Sequence, residues 1–392
     1  MSLVRFDRSP DLQKLRDEGY AVSVTEAGYV VVRHVPYVMA TRTVARGVLA
    51  YPLNTSGDAV GAPTDHVLFF AGEVPCKSSG EAFGFHSPGS WKVADDVVAT
   101  HQLSLKDPDK PVDADYYVKF KRYITLFEHH VRVIDTDATA ALFQPIPDDD
   151  PDSPFEYLDS ASSRAGIVEH AQRLGQQRVA IVGLGGTGSY LLDLLAKTRV
   201  REIHLFDGDK LLSHNAFRAP GAASLGELNQ GPKKVQYYVD RYRVLKRGLI
   251  SHPYFLDASN SEELSSMEFV FLCMEGGDTK RELVEAMERM GLSFIDVSLD
   301  VLIMGNALGG TVQVTTSTPD QREHFRKRVS FATPSDDDIY SSNIQVADLN
   351  ALNAVLAVIK WKKLCGFYGD VRSEHFSAYG IDANLLVNEE EA

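Results

Sequence analysis

The chain is short of cysteine, of long apolar runs and of positive charge. Cys76, Cys273 and Cys365 are widely separated among the 392 residues and form no Cys-x-x-Cys pair, which argues against a disulfide framework and a four-cysteine zinc site. No apolar run reaches the roughly 18 residues that a membrane span requires. The opening segment, MSLVRFDRSPDLQKLRDEGY, is charged from the start and lacks the apolar core of a signal peptide. These absences predict a cytoplasmic protein without a membrane partner.

The shortage of basic residues argues against one large class of partner. Asp and Glu number 54 against 40 Lys and Arg, so the formal net charge is −14 at pH 7. A nucleic-acid backbone repels a chain this acidic, and we expect no nucleic-acid partner. The charge would suit a basic protein partner, although a solvated acidic surface explains it more simply.

Residues 1–145 are expected to form a smaller, β-rich α+β domain. Two runs of β-forming residues, Tyr20–Thr25 and Tyr29–His34, flank a turn at Gly28, and HVLFFAGEVPC predicts a further strand. The run ADYYVKFKRYITLFEHHVRVI predicts a helix. The segment FQPIPDDDPDSPFEY is rich in Pro and Asp and cannot easily continue a helix or a central strand, so we place a linker at 146–160.

Residues 161–387 alternate between strand and helix patterns. RVAIVG, EIHLFDGD, FVFLCME and SFIDVS are short apolar runs of the kind that form buried parallel strands. Helices are predicted at Ala161–Leu174, over TKRELVEAMERMG and over a long apolar segment that ends at Gly366. This alternation predicts a doubly wound, Rossmann-like α/β domain. The final residues, 388–392, form an acidic tail with the sequence NEEEA.

Four glycines in six residues, GLGGTG, follow the first of these apolar runs. In VAIVGLGGTGSYLLDLL, Gly183, Gly185 and Gly188 have the spacing of a dinucleotide-binding loop, which lets the backbone approach a phosphate at a helix N-terminus. Asp207 ends the next strand, 24 residues after Gly183, where it can accept hydrogen bonds from ribose hydroxyls. This pattern alone fits NAD, FAD and ATP.

The residues that follow the second strand favour a triphosphate. FDGDKLLSHNAFRAP carries Asp209, Asn215 and Arg218, and QGPKKVQ opens another helix with Lys233 and Lys234. A nucleotidyl transferase must stabilise the charge that accumulates as the α–β phosphate bond breaks, and Arg can hold two oxygens at once. A dehydrogenase has no need of these side chains beyond its ribose-binding acid.

Together these motifs resemble the ThiF-type adenylyltransferases, the superfamily of ubiquitin-activating enzymes. The pattern of that family is a Gly-x-Gly-Gly-x-Gly loop, an Asp-x-Asp strand end, an Asn-x-x-Arg pair and a Lys that opens the next helix. The match extends over roughly Arg178–Asp300. Its positions in this chain are Gly183, Gly185, Gly186, Gly188, Asp207, Asp209, Asn215, Arg218 and either Lys233 or Lys234.

The resemblance implies an activity. Members of the family use ATP and Mg²⁺ to adenylate the C-terminal carboxylate of a ubiquitin-fold protein, and they release pyrophosphate. By analogy, Asp207 would bind the ribose. Asn215, Arg218 and a lysine would bind the phosphates. The resemblance further implies a ubiquitin-like protein as the substrate and a homodimer as the assembly.

The N-terminal domain resembles, in turn, a domain of unknown function that precedes ThiF-like domains in bacterial operons. DEGYAVSV, VPYV and GEVPC carry this resemblance, together with the later segment SDDDIYSSNIQVADLNALNAVLAVIKW. Those operons encode ubiquitin-like proteins and conjugating-type enzymes. The resemblance therefore implies a bacterial protein, a recognition or assembly role for the N-terminal domain, and a conjugating-type enzyme among the partners.

The chain departs from the family pattern at the metal site. An ungapped match of CMEGGDTKR through Arg281 puts Gly276 at the position of the acid that holds the metal in the family. Glu275 or Asp278 is then expected to hold Mg²⁺. The second asparagine of the family is Phe217 here, and the paired Cys-x-x-Cys motifs of the family are absent.

These departures leave two other functions open. A catalytically degraded scaffold with the same fold is favoured by the glycine at the metal position. An NAD- or FAD-dependent oxidoreductase explains the glycines and Asp207, but it leaves Asn215, Arg218 and the lysines without a role.

The cysteines bear on the step after adenylation. Ubiquitin activators pass the acyl group to a cysteine in the segment that crosses over the adenylation site, but residues 274–364 contain no cysteine. Cys365 follows an apolar helix, and Cys76 is expected in an exposed turn beside Lys77. We therefore predict that the chain makes an acyl-adenylate without a thioester of its own.

Overall fold

The computed structural model describes residues 9–56, 59–106, 112–145, 147–148, 151–332 and 344–388. The chain divides into two units. The N-terminal unit comprises Met1–Asp150 and Tyr157–Gly166, and the C-terminal unit comprises Pro151–Glu156 and Ile167–Ala392. The division therefore falls in the segment that is rich in Pro and Asp.

The N-terminal unit is built on an antiparallel sheet. Its strands are β1 (Ala21–Val24), β2 (Tyr29–Val38), β3 (Val44–Pro52), β4 (Thr55–Ser56), β5 (Ala59–Val60), β6 (Val67–Ala71), β7 (His86–Ala94) and β8 (Val97–Ser104). Its helices are α1 (Pro10–Asp17), α2 (Tyr116–Val131) and α3 (Ser160–Arg164). The main sheet has the order β1-β2-β3-β6-β8-β7, with every neighbouring pair antiparallel, and β4 pairs with β5 separately.

One helix supplies much of the core of this unit. At the start of α2, the Asp115 carboxylate accepts a hydrogen bond from the Val118 N–H at 2.7 Å and caps the first turn. Phe120, Ile124 and Phe127 recur at the spacing of one helix face, so their side chains enter the same buried cluster as the apolar residues of the sheet. The helix predicted from the sequence is confirmed.

The predicted hairpin at Gly28 is also confirmed, as β1 and β2, whereas the predicted environment of Cys76 is wrong. The strand predicted over HVLFFAGEVPC is limited to β6. Cys76 follows it and is 2% exposed. The Cys76 N–H donates to the Val38 carbonyl at 2.8 Å, and this long-range pairing buries a segment that looks like an exposed turn in the sequence.

The C-terminal unit is an eight-stranded mixed sheet with helices on both faces. Its strands are β9 (Arg178–Val182), β10 (Glu202–Phe206), β11 (Leu249–His252), β12 (Phe269–Leu272), β13 (Ser293–Met304), β14 (Ala307–Ser317), β15 (Phe376–Gly380) and β16 (Leu385–Asn388). Its helices are α4 (Val168–Gln172), α5 (Gly186–Ala196), α6 (Ser213–Ala216), α7 (Leu225–Gln230), α8 (Lys234–Tyr242), a 3-10 helix (Ser261–Ser266), α9 (Asp278–Arg289), α10 (Phe325–Arg328) and α11 (Ala347–Leu364).

The order of this sheet is β11-β10-β9-β12-β13-β14-β15-β16, and the first five strands are parallel. Val179 and Ile181 of β9 join a cluster with α5, α8 and α11, whereas Ala180 and Val182 join a cluster with α9 on the other face. A strand buried on both faces must be apolar throughout, which is why residues 179–182 form a continuous apolar run. The chain order reverses direction between β9 and β12, and doubly wound sheets bind ligands at such a switch point.

The predicted doubly wound α/β class is confirmed, and β9, β10, β12 and β13 are the four predicted parallel strands. The helix predicted over Ala161–Leu174 is wrong, because Gly166 adopts a φ of 67° and separates α3 from α4. Sequence analysis also missed β14, β15 and β16. Gly305 and Asn306 form a two-residue turn between β13 and β14, and this Gly-Asn pair is a recognised hairpin signal.

The last described residues of the chain form a strand. Asn388, assigned above to the acidic tail, ends β16, and residues 389–392 lie outside the described residues. Within the ranges that the structure describes, no helix combines the length and the apolar composition needed to cross a membrane.

Candidate functional site

The glycine loop lies where β9 ends and α5 begins. Gly183 has a φ of 93°, and Gly185 is the N-cap of α5, whose first N–H groups have no partner within the helix. A side chain at Gly188 would meet the Gly183 carbonyl oxygen at 1.9 Å, so this position is closed by the fold itself. A side chain at Gly185 would meet nothing within 4 Å, and Gly185 lines a cavity. The loop therefore presents an open backbone face at Gly185, as phosphate binding requires.

Asp207 follows β10 and is hydrogen-bonded to the backbone of the glycine loop. It is 5% exposed, and its Oδ2 accepts a hydrogen bond from the Leu184 N–H at 2.7 Å. Its Oδ1 accepts one from the Asp209 N–H at 2.8 Å. Lys234 Nζ lies 3.3 Å from Oδ2 of Asp207 and 2.8 Å from Oδ2 of Asp209. Both oxygens of Asp207 are thus engaged within the chain, whereas the Asp209 side chain is 57% exposed.

The two lysines at the start of α8 have different environments. Lys234 is buried against the two aspartates, whereas Lys233 is exposed and its ammonium donates to the Gly208 carbonyl. A lysine can exchange one carbonyl for a phosphate more readily than it can leave two carboxylates. Of the two predicted phosphate ligands, Lys233 would therefore lose fewer contacts on turning toward a phosphate.

Arg218 follows α6, and its backbone is linked to the first turn of α5 through the Asn350 side chain. Asn215 is buried, and its side-chain oxygen accepts from the Leu212 N–H at 2.9 Å, which caps α6. The Arg218 carbonyl accepts from the Asn350 amide at 3.4 Å, and Asn350 accepts from the Thr187 hydroxyl in the first turn of α5 at 2.9 Å. The Nε of Arg218 is buried without a hydrogen-bond partner among the described residues. A buried donor of this kind costs free energy unless a ligand satisfies it.

A cavity of about 580 Å³ adjoins the loop between the ends of β9 and β13. Gly185 and Thr187 line it on the loop side, and Arg328 lines it at the end of α10. Its wall also contains a buried ion pair, in which Lys280 Nζ lies 2.5 Å from Oδ1 of Asp296. Burial raises the pKa of the Asp296 carboxyl, and Lys280 opposes that rise. The cavity is polar and charged, as suits an ionic ligand.

Sequence analysis missed these wall residues because they come from separate elements. Asp296 left one usable signal, since a charged residue inside the buried strand pattern SFIDVS needs a partner or a function. Phe255 was missed too. Phe255 is 63% exposed. Its ring covers Gly208, where a side chain would meet it at 2.6 Å, between the two aspartates that follow β10.

The two acids predicted to hold Mg²⁺ are placed differently. Glu275 lines the cavity, whereas Asp278 lies 2.7 Å from Arg281 in an exposed ion pair. A side chain at Gly276 would meet the Ala332 carbonyl oxygen at 2.7 Å, which explains physically why no acid stands there. Magnesium on a nucleotide needs only one or two protein carboxylates beside the phosphates, so Glu275 fits. Across the described ranges, no group of three or more His, Cys, Asp or Glu side chains could hold a metal without a nucleotide.

The three cysteines are poor nucleophiles in their environments. Burial raises the pKa of Cys76 and of Cys273, which lines the cavity, and it raises the pKa of Cys365 to about 12. A thiol with a raised pKa is protonated at neutral pH, and the thiolate is the reactive form.

Comparison with protein families now identifies the fold. Residues 161–374, more than half of the chain, match the model of the ThiF family. The chain belongs to the ThiF family. Residues 10–160 match a second model, a domain of unknown function designated DUF6791. The predicted combination is confirmed: a Rossmann-like ThiF adenylation domain follows an N-terminal domain of unknown function.

The relatives of this ThiF chain include an activator of a ubiquitin-like modifier. This chain is 26% identical over 172 residues to ubiquitin-like modifier-activating enzyme 5 of Aedes aegypti. The match covers 41% of this chain and 42% of that protein. The chain thus spans less than half the length of this relative. Among solved structures, PaaA is 20% identical, with 56% of this chain and 66% of PaaA covered and a TM-score of 0.46. Escherichia coli MccB with AMPCPP and MccA is 16% identical, with 59% and 69% covered and a TM-score of 0.46.

Proposed function

We propose that this ThiF chain is an ATP-dependent adenylyltransferase that activates the C-terminal carboxylate of a ubiquitin-like protein. A carboxylate oxygen attacks the α-phosphorus of ATP, the bond from that phosphorus to the bridging oxygen breaks, and pyrophosphate leaves with the bond's electron pair. The carboxylate is already a nucleophile, so no general base is required, and catalysis consists of positioning and charge stabilisation. Membership of the ThiF family and the name of the Aedes aegypti relative support this proposal.

The observation that carries the proposal is the buried Nε of Arg218, which has no hydrogen-bond partner within the described residues. A guanidinium can bind two phosphate oxygens at once, and such charge-assisted contacts are the strong ones. A triphosphate in the loop would bring anionic oxygens to this cation. NAD and FAD carry two phosphates and no γ-phosphate, so they offer fewer anionic oxygens to this cation than ATP does.

The geometry suggests a division of roles among the predicted site residues. The open backbone at Gly185 and the first turn of α5 would bind a phosphate, and Lys233 would join them there. Asp209, the more exposed aspartate, would accept hydrogen bonds from the ribose, while Asp207 would share that role and hold the loop through Leu184. The exposed ring of Phe255 would stack on the base.

Glu275 would hold Mg²⁺ together with the phosphates. The bound ion would neutralise part of the triphosphate charge. The ubiquitin-like substrate, a homodimer and a conjugating-type partner are part of the same proposal, since the resemblance of the site motifs implies them.

A calorimetric titration of the full chain with ATP and with NAD, each in magnesium-containing buffer, tests the proposal. We expect saturable ATP binding and an NAD dissociation constant at least about tenfold larger. Exchange of radiolabelled pyrophosphate into ATP, stimulated by a ubiquitin-like protein, would then demonstrate adenylation. Tight NAD binding with no ATP binding would overturn the proposal.

A scaffold without catalysis is the second candidate, and Gly276 favours it because the Ala332 carbonyl occupies the space of the family's acid. The scaffold predicts that no ubiquitin-like protein stimulates pyrophosphate exchange, even when ATP binds. Glu275→Gln distinguishes the two functions further. It should weaken ATP binding in magnesium buffer if Glu275 holds the ion, and leave the affinity unchanged in EDTA.

A further inference from the structure

Asn350 is a buried amide in the first half of α11. It is 0% exposed, and an amide buried at that depth costs free energy unless it finds partners. Its side-chain oxygen accepts from the Thr187 hydroxyl at 2.9 Å, and its nitrogen donates to the Arg218 carbonyl at 3.4 Å. One side chain therefore links three segments: α11, the first turn of α5 and the chain that follows α6.

The same amide is also in direct contact with the glycine loop. A side chain at Gly186 would lie 2.1 Å from the Asn350 nitrogen, so the amide fills the space that a larger residue at 186 would take. Gly186 is thus explained by packing against Asn350, not by the approach of a phosphate. Asn350 does not line the cavity, whereas Gly186 and Thr187 do.

We propose that Asn350 is a positioning residue for nucleotide binding: it holds the first turn of α5 and the Arg218 segment in the relative placement that a triphosphate needs. This inference rests on the proposed function. The first N–H groups of α5 and the Arg218 guanidinium must reach oxygens of the same triphosphate. An error in their relative placement therefore weakens binding of the phosphates and leaves binding of the nucleoside unchanged.

Asn350→Leu is the test, because leucine has nearly the same volume and makes neither hydrogen bond. With the full chain, we expect the ATP dissociation constant to rise about tenfold, as a small misplacement of the phosphate-binding groups predicts, and that of adenosine to change by less than about twofold. In the absence of nucleotide, hydrogen exchange of the backbone amides at 185–189 should become faster. Exchange reports on the loop itself and does not depend on any activity.

The matched control is Asn353→Leu, one turn further along α11. Asn353 is also 0% exposed, but its amide donates to the Ser298 carbonyl on β13 at 3.0 Å. This variant should leave the exchange of the loop amides unchanged. Thr187→Val replaces the hydroxyl with a methyl group and should reproduce part of the Asn350→Leu effect. Thr187→Ser keeps the hydroxyl, so its ATP affinity and loop exchange should stay close to those of the wild type. Thr187→Val also serves if Asn350→Leu proves unstable.

Three results would overturn the inference. The first is that Asn350→Leu binds ATP with wild-type affinity. The second is that Asn350→Leu loses adenosine affinity and ATP affinity by the same factor. The third is that Asn353→Leu changes ATP affinity and loop exchange as much as Asn350→Leu does. A failure of the adenylation proposal looks different, because the wild-type chain would then not bind ATP. In that case the inferred role in nucleotide binding also falls, and unequal loop exchange in the two variants would leave Asn350 with a structural role only.

Discussion

Each of the two units contains a buried lysine, and the surroundings of the two lysines differ. In the N-terminal unit, Lys119 is 0% exposed, its ammonium donates to the Asp65 carbonyl at 2.7 Å, and it lies 4.0 Å from the centre of the Tyr51 ring. In the C-terminal unit, Lys234 is buried 3.3 Å from Asp207, which itself holds the glycine loop. The first lysine joins parts of a core together, and the second lies at the predicted nucleotide site.

Sheet topology explains the difference. In the antiparallel sheet of the N-terminal unit, neighbouring strands run in opposite directions, so no edge collects the carboxyl ends of neighbouring strands. In the C-terminal unit, β9, β10 and β12 are parallel, and each is followed by a loop at the same edge. Helix N-termini and polar side chains gather there. A buried charge at that edge lies where a ligand can bind, whereas Lys119 contacts Asp113 and Tyr51, which are both buried within its own unit.

Removing a cation from the parallel edge should have the largest effect. Arg218→Ala should slow pyrophosphate exchange about a hundredfold or more without lowering the melting temperature, because the contact is made to the phosphates of the transition state and the Nε has no hydrogen bond to lose among the described residues. The matched control is Arg241→Ala, which removes an exposed arginine of α8 that lies 3.7 Å from Glu227. Exchange at the wild-type rate in Arg218→Ala would show that this arginine does not hold the phosphates.

Substitution of two glycines in the same loop should distinguish a glycine that the fold requires from one that only ATP binding requires. Gly188→Ala should lower the melting temperature and abolish ATP binding, because the new methyl group would meet the Gly183 carbonyl oxygen at 1.9 Å. Gly185→Ala should keep the melting temperature and weaken ATP binding about tenfold, since its methyl group projects into open space at the cavity. Thermal melting and calorimetry on both variants check this, and unchanged ATP affinity in Gly185→Ala would contradict an open phosphate cradle.

The two aspartates that follow β10 should likewise differ in their effects on stability and on ATP affinity. Asp207→Ala leaves the Leu184 N–H without its acceptor and should cost about 1–3 kcal/mol of folding free energy as well as ATP affinity. Asp209→Ala should weaken ATP binding without a comparable loss of stability, because its side chain is largely exposed. Denaturant unfolding and calorimetry measure the two effects. Equal destabilisation by both substitutions would argue against separate roles.

The converse experiment changes the buried lysine of the antiparallel unit. Lys119→Met should leave ATP affinity unchanged and alter only the stability of the N-terminal unit. Burial lowers the pKa of Lys119, so above that lowered pKa the unfolded chain binds a proton that the folded chain does not. The stability of the wild-type unit should therefore rise with pH between the lowered pKa and the usual lysine value. The variant should lack this rise in denaturant titrations at increasing pH, and a change in its ATP affinity would break the contrast between the units.

Substitution of one cysteine from each unit should have the smallest effect on adenylation. Cys76→Ser and Cys365→Ser should both support adenylation of a ubiquitin-like protein at the wild-type rate, because burial raises the pKa of each thiol and neither is placed as a nucleophile. A non-reducing gel of enzyme, ATP and partner should show no thiol-sensitive adduct. An adduct that disappears in one of the two variants would identify a thioester and refute the prediction.

Local patterns were sufficient for much of the fold. The strands β9, β10, β12 and β13 are continuous apolar runs because both of their faces are buried, and α2 repeats its aromatic residues on one face. Patterns failed where local signals compete. Ala161–Leu174 has helical composition, yet Gly166 breaks it, and β14 was missed although Gly305 and Asn306 precede it.

The sequence by itself determined the glycine loop, the aspartates at the end of β10 and the family, because these depend on spacing within about fifty residues. Only the tertiary structure decided what each residue contacts. It placed Asn350 against Thr187, 163 residues away, and buried Cys76 against Val38. It also left the Nε of Arg218 buried, with no hydrogen-bond partner in the part of the chain that the structure describes. Such contacts join distant segments through packing, and no local pattern records which polar group a buried side chain will meet.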